Sequence, residues 1–133
     1  MSELLTYLRQ VKFDNQLKNL KRRLKNKTVI VYGAGLLFQE IVQNYDLSRL
    51  TIIGISDKKY KLEDEGKTNC GYKIIPCSKL SDYNPDYVLV ATLKFVGLLQ
   101  EIKKEYYKDK KTKVFPFVDK PFVELFKEIL HSM

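Results

Sequence analysis

Residues 28 to 41 read TVIVYGAGLLFQEI. Thr28 to Tyr32 is a β-branched, apolar run of the kind that forms a strand buried on both faces. The segment after it, LLFQEIVQNYDL, sets Leu37, Ile41 and Val42 on one helical stripe, so a helix follows the strand. Gly33-Ala34-Gly35 lies at the junction and begins a GxGxxG loop. In that loop the first glycine makes the tight turn, the second lets backbone approach a pyrophosphate, and the third lets helix pack closely on strand. Here Phe38 occupies the third position. The change bears on packing more than on anion binding, and the ring is expected to fill the space between helix and sheet. The amides of Ala34, Gly35, Leu36 and Leu37 remain at the helix N-terminus, where N–H groups and the dipole favour phosphate. Gly33 and Gly35 therefore read as a ligand-binding turn, against the alternative of a structural turn alone.

Working outward, LTIIGISD and PDYVLVAT are two further continuous apolar strands, and KVFPF is a later, shorter one. Between the first two lies a polar, turn-rich stretch that includes the acids Glu63, Asp64 and Glu65, read as a solvated turn. It leads into a strand-like YKII and a CSKLSDYN segment suited to one helical turn. LKFVGLLQEIKKEYYKD is amphipathic through Phe95, Leu98, Leu99 and Ile102, and PFVELFKEILHSM reads as a closing helix. Strands alternating with helices require right-handed crossovers. The expected fold is α/β: a Rossmann-like, three-layer parallel sheet with two extra N-terminal helices and a C-terminal helix. Residues 1–27 form a basic helical extension and residues 28–133 the Rossmann-like domain.

Asp57 ends the second strand at the place where dinucleotide-binding folds keep an acid for ribose hydroxyls. It reads either as a ribose ligand or as a plain strand-ending turn residue. Lys58 and Lys59 beside it suit an extra phosphate or a solvated surface.

The 133-residue chain is long enough to bury roughly two-thirds of its unfolded surface. Its composition, 44% hydrophobic and 30% charged, is that of a soluble domain, and no run approaches the ~18 apolar residues of a membrane span. The start, Met1-Ser2-Glu3-Leu4-Leu5, lacks the basic stretch and apolar core of a secretion signal, which predicts a cytoplasmic protein. Cys70 and Cys77 match neither a CxxC redox pair nor a zinc cluster, and His131 is a tail residue without an assigned role.

Most of the +8 net charge sits at the N-terminus, where eight lysines and arginines between Arg9 and Lys27 face only Glu3 and Asp14. Leu17, Leu20 and Leu24 recur at helical spacing behind a cap expected at Asp14, so Lys18, Lys21, Arg22 and Lys25 fall on the opposite face. That face reads as solvated, with an acidic partner or a weak, salt-sensitive nucleic-acid contact as alternatives. No aromatic residue interleaves the charges, so no sequence-specific nucleic-acid binding is expected.

The run VIVYGAG, then IIGISDKK, then YKIIP with SKL after it, then PDYVLVAT, resembles the small Rossmann-like domain of bacterial surface-polysaccharide and sugar-modification proteins. It is similar to the N-terminal nucleotide-sugar-binding domain of sugar acetyltransferases of the left-handed β-helix class, and to the C-terminal domain of certain sugar methyltransferases. The likeness covers roughly residues 28 to 118. It implies that the nucleotide part of a UDP-sugar lies against Gly33, Ala34, Gly35 and Asp57, with Ala91 and Thr92 bordering the same crevice. The chain departs from these relatives at Phe38, and it lacks the β-helix domain that performs acetyl transfer.

No Ser/His/Asp or Cys/His set, HExxH motif or P-loop lysine is present, and nothing adjacent in sequence activates Cys70 or Cys77. Tyr106 and Tyr107 continue an amphipathic helix as packing and rim residues. The reading is a nucleotide or nucleotide-sugar binding module of polysaccharide or sugar-modification metabolism, without catalytic residues of its own. It would act with a separate catalytic partner or as a homodimer. Two alternatives stand beside it: a small enzyme using NAD(P), and a degenerate Rossmann assembly module without ligand.

Overall fold

The computed structural model describes residues 2–120 and Leu130. Apart from Leu130, the closing helix expected in residues 121–133 lies outside the described residues, as does His131.

Two short helices come first, α1 (Glu3–Gln10) and α2 (Phe13–Arg23). Ser2 caps α1, its Oγ accepting the Leu5 N–H at 3.0 Å. The cap of α2 is not Asp14 but Lys12, held in the left-handed region at φ 55° by the tight link between the helices. Asp14 falls inside the first turn, where its charge still favours the dipole.

The chain then runs through β1 (Thr28–Tyr32), α3 (Leu36–Asn44), β2 (Thr51–Ser56), β3 (Thr68–Asn69), β4 (Tyr72–Lys73), β5 (Tyr87–Val90), α4 (Leu98–Tyr106) and β6 (Lys113–Pro116). Short 3-10 turns occupy Leu62–Asp64 and Cys77–Asp82, the polar turn and the single helical turn expected there. Helix α4 begins three residues later than Phe95, because Gly97 at φ 87° turns the chain before Leu98. Phe95 is buried all the same.

Four strands form one parallel sheet in the order β2-β1-β5-β6. The hairpin β3-β4 is separate, but Ile74 beyond it makes a parallel bridge to Ile55, and the Ile75 N–H donates to the Ile55 carbonyl at 2.8 Å. Because strand side chains alternate, β1 feeds both faces of the sheet. Val29 and Val31 join Leu17 and Leu20 of α2 and Phe38 and Ile41 of α3. Ile30 and Tyr32 join Leu80, Ile102 of α4 and Tyr107. Helices therefore cover both faces, which is what continuous apolar strands require.

The N-terminal helices are part of this core. Leu8, Phe13, Leu17 and Leu24 are buried, and the Phe13 ring meets Tyr45 edge-on at 4.9 Å and Phe117 at 5.7 Å. Gln16 pins the same region: its Oε1 accepts the Asp119 N–H at 2.8 Å, and its Nε2 donates to the Asp119 carbonyl at 3.2 Å. At the amino edge of the sheet, the Asp86 carboxylate accepts the Thr28 N–H at 2.8 Å while Thr28 Oγ1 accepts the Asp86 N–H at 3.0 Å. This reciprocal pair sets the starts of β1 and β5 side by side.

Candidate functional site

The glycine loop lies at the carboxyl end of β1, the edge where open α/β sheets bind ligands. Gly33 leaves the strand at φ +109°, and its N–H donates to the Ser56 carbonyl at 2.8 Å. A Cβ at this position would lie 2.9 Å from the Ala91 carbonyl oxygen, so only glycine fits between the ends of β1 and β5. Gly35 is different. It is the N-cap of α3 in ordinary extended geometry, at φ −91° and ψ −156°, and a Cβ there would meet nothing within 4 Å. Neither sterics nor backbone conformation in the fold requires glycine at 35.

Phe38, in the place of the third glycine, is fully buried and packs near Tyr72 at 5.9 Å and Phe117 at 6.5 Å. The ring fills the core beneath α3, as the sequence suggests. The amides of Gly35, Leu36 and Leu37 open α3 and have no acceptor within the helix, and the Leu36 side chain is 70% exposed beside them.

The Ala34 amide is the exception among the four loop donors. It donates to Asp57 Oδ2 at 2.7 Å, while Asp57 Oδ1 accepts the Lys59 N–H at 3.0 Å and Lys59 Nζ donates to the Ala34 carbonyl at 2.8 Å. The acid expected to meet ribose thus also ties the second strand to the glycine loop. Each carboxylate oxygen keeps a lone pair beyond these bonds, which is the acceptor set a vicinal diol requires. Lys59, read in the sequence with Lys58 as a phosphate or surface lysine, instead takes part by reaching the Ala34 carbonyl; Lys58 points away to an exposed ion pair with Glu101 at 3.7 Å. Thr92 follows the end of β5, half-buried, its hydroxyl donating to the Lys94 carbonyl at 3.1 Å. Its neighbour Ala91 borders the loop, with its carbonyl facing Gly33.

Residues 25–115 match the family described as C2185-like, N-terminal. The chain belongs to the C2185-like N-terminal domain family. The matched span begins two residues beyond α2 and ends inside β6, so it takes in the glycine loop, Asp57 and Thr92 and leaves out α1 and α2. No curated protein matches the chain.

A second group of polar side chains gathers at the same edge. Ser56, the last residue of β2, is fully buried, with Oγ 3.7 Å from Cys77 Sγ, and Cys77 packs against the same buried cluster as Tyr32 and Tyr106. Burial holds both phenols far above the usual tyrosine value, so they stay protonated through neutral pH. Sequence reasoning missed this group because its members come from four separate segments. Its one signal is positional, in that each of the three segments carrying Tyr32, Ser56 and Cys77 ends a strand or follows one.

Away from the sheet edge, Lys18, Lys21, Arg22 and Lys25 of the N-terminal region line a shallow cleft of about 850 Å³ together with Arg49. No helix among the described residues is long and apolar enough to cross a membrane.

Proposed function

We propose that this domain binds a nucleotide or nucleotide-sugar, with its phosphates on the amides of Gly35, Leu36 and Leu37 and its ribose on Asp57. The observation that carries the reading is the pairing of an open, conformationally unneeded glycine at 35 with a carboxylate that reaches the next amide of the same loop. A Rossmann-like relationship is supported by the strand order and by the short parallel bridge of Ile74 to Ile55, which together give the succession of a mononucleotide-binding half with a rudimentary third strand. The domain serves surface-polysaccharide or sugar-modification chemistry in this reading, presenting the ligand to a separate catalytic protein.

A thermal-shift panel of UDP-sugars, CDP, NAD(P)H and acetyl-CoA, followed by calorimetry on each hit, tests it. A ligand at a hundred times its Kd stabilises the fold by about 2.7 kcal/mol. Selective stabilisation by NAD(P)H would move the assignment to a dinucleotide enzyme. If no nucleotide binds, the loop is a structural relic, Asp57 serves only to clasp the Ala34 amide, and the domain acts in assembly.

A further inference from the structure

The outer edge of the sheet carries a groove that the nucleotide contacts leave unused. Strand β6 pairs with β5 and is the last strand in the sheet order, so its other side is an edge. Along that side an open cleft of about 680 Å³ runs between α4 and the chain from Lys111 to Phe115. Its floor is apolar, made by the half-buried side chains of Leu99, Val114 and Phe115. Its rim is basic. Lys104, Lys108, Lys111 and Lys113 stand exposed around it, and no acid is among its lining residues. Among the described residues none of these four lysines pairs with a carboxylate; Glu101 of α4 turns instead to Lys58. The walls are fixed in place. Lys103 Nζ donates to the carbonyls of Lys110 and Thr112 at 2.6 and 2.7 Å, Thr112 Oγ1 donates to the Pro85 carbonyl at 2.6 Å, and the Phe115 ring is braced by Tyr87 at 5.7 Å.

We propose that this groove docks an acidic, amphipathic helix of another protein, its apolar face on Leu99, Val114 and Phe115 and its carboxylates against the lysine rim. The proposal stands whether or not the glycine loop holds a nucleotide. A helix laid in a groove gains affinity from an apolar floor, and complementary charge at the rim sets its orientation and excludes wrong partners. A groove whose walls are already tied together loses little freedom on binding. The other occupants fit less well. A second copy of this chain would set the same lysines against themselves. An added strand is opposed by Pro116, which has no N–H to offer, and by the lysines along the edge. A nucleic-acid backbone has no apolar face for the floor, and a flat anionic bilayer would meet the exposed lysines before the half-buried residues between them.

The probe is a fluorescein-labelled synthetic helix with one leucine stripe flanked by glutamates, titrated with the full chain and followed by anisotropy. A scrambled peptide of the same composition and a peptide with lysine in place of glutamate are its controls. The acidic striped peptide should bind at least about tenfold more tightly than either. Lys104→Glu with Lys113→Glu, one exposed charge from each wall, should weaken it about tenfold, and Leu99→Ala about fivefold. Lys18→Glu with Lys25→Glu, on the α2 cleft, should leave it unchanged. Amide shifts in NMR titrations should centre on Val114 and Phe115. No binding, equal binding of the scrambled peptide, or an equal loss in the α2 pair would overturn the proposal. So would displacement of the peptide by a single-stranded oligonucleotide or by phosphatidylserine vesicles, or a dimer in sedimentation that the peptide dissociates.

Discussion

The carboxylate of Asp57 holds the amide of Ala34 at 2.7 Å, so the residue at the end of the second strand and the middle residue of the glycine loop are one structural unit. Asp57→Ala would release the loop from β2 and remove the acceptor for ribose at once. A hydrogen bond to a charged group contributes about 1.5–3 kcal/mol, and a loss of that order is expected in urea unfolding. Calorimetry should show nucleotide affinity reduced more than tenfold, about 1.4 kcal/mol or more. Unchanged affinity would mean that Asp57 only clasps the loop.

The two loop glycines should separate stability from binding. Gly35→Val places its side chain in open space and should cost only the change of N-cap residue, about 1 kcal/mol, while abolishing nucleotide binding by occupying the ground where phosphate oxygens belong. Gly33→Ala strains a backbone at φ +109° and drives a methyl toward the Ala91 carbonyl, for a loss of about 1–3 kcal/mol. Thermal melts and titrations of both variants check the contrast.

Phe38→Ala leaves every loop amide in place but opens a hole between Tyr72 and Phe117. Removal of a buried phenylalanine costs about 3–5 kcal/mol, to be read from denaturant midpoints at constant m-value. Nucleotide affinity, measured well below the new melting temperature, should stay within a few-fold of the parent.

Asp86 supplies a pH signature. Hydrogen bonds from Thr28, the backbone amide first, hold its carboxyl below the usual aspartate range. A carboxyl depressed in the folded state adds stability above its unfolded value, about pH 3.9, and that contribution vanishes as pH falls through the folded value. Asp86→Asn should therefore melt below the parent at pH 7, and the two curves should converge once pH falls below the depressed folded value. A constant offset across the range would assign the effect to geometry alone.

The strands were legible because burial on both faces leaves little room for polar residues, so TVIVY and YVLV declare themselves without alignment. The glycine loop was legible as a motif, and the residue types of Asp57 and Phe38 announced their positions. What the sequence hid is which partner each group meets. Asp57 bonds a backbone amide, which has no letter of its own. The Cys77 group depends on Tyr32, Ser56 and Tyr106, far apart in the chain, being brought to one edge by the strand order. Lys12 capping α2 was invisible because a left-handed lysine is a product of the tight link between two helices and not of its own propensity.

The Gln16 and Asp119 clip joins two segments that lie outside the family-matched span, one on either side of it. Beneath the clip Leu17, Leu20, Phe117 and Val118 share one buried surface. A fragment cut to residues 25–115 would keep the loop, Asp57 and all but the end of β6, yet expose to water the Val29, Val31, Phe38 and Ile41 side that those residues cover. In this chain the family-matched span is thus covered by residues from both sides of it, drawn together by one side chain and the backbone of one residue.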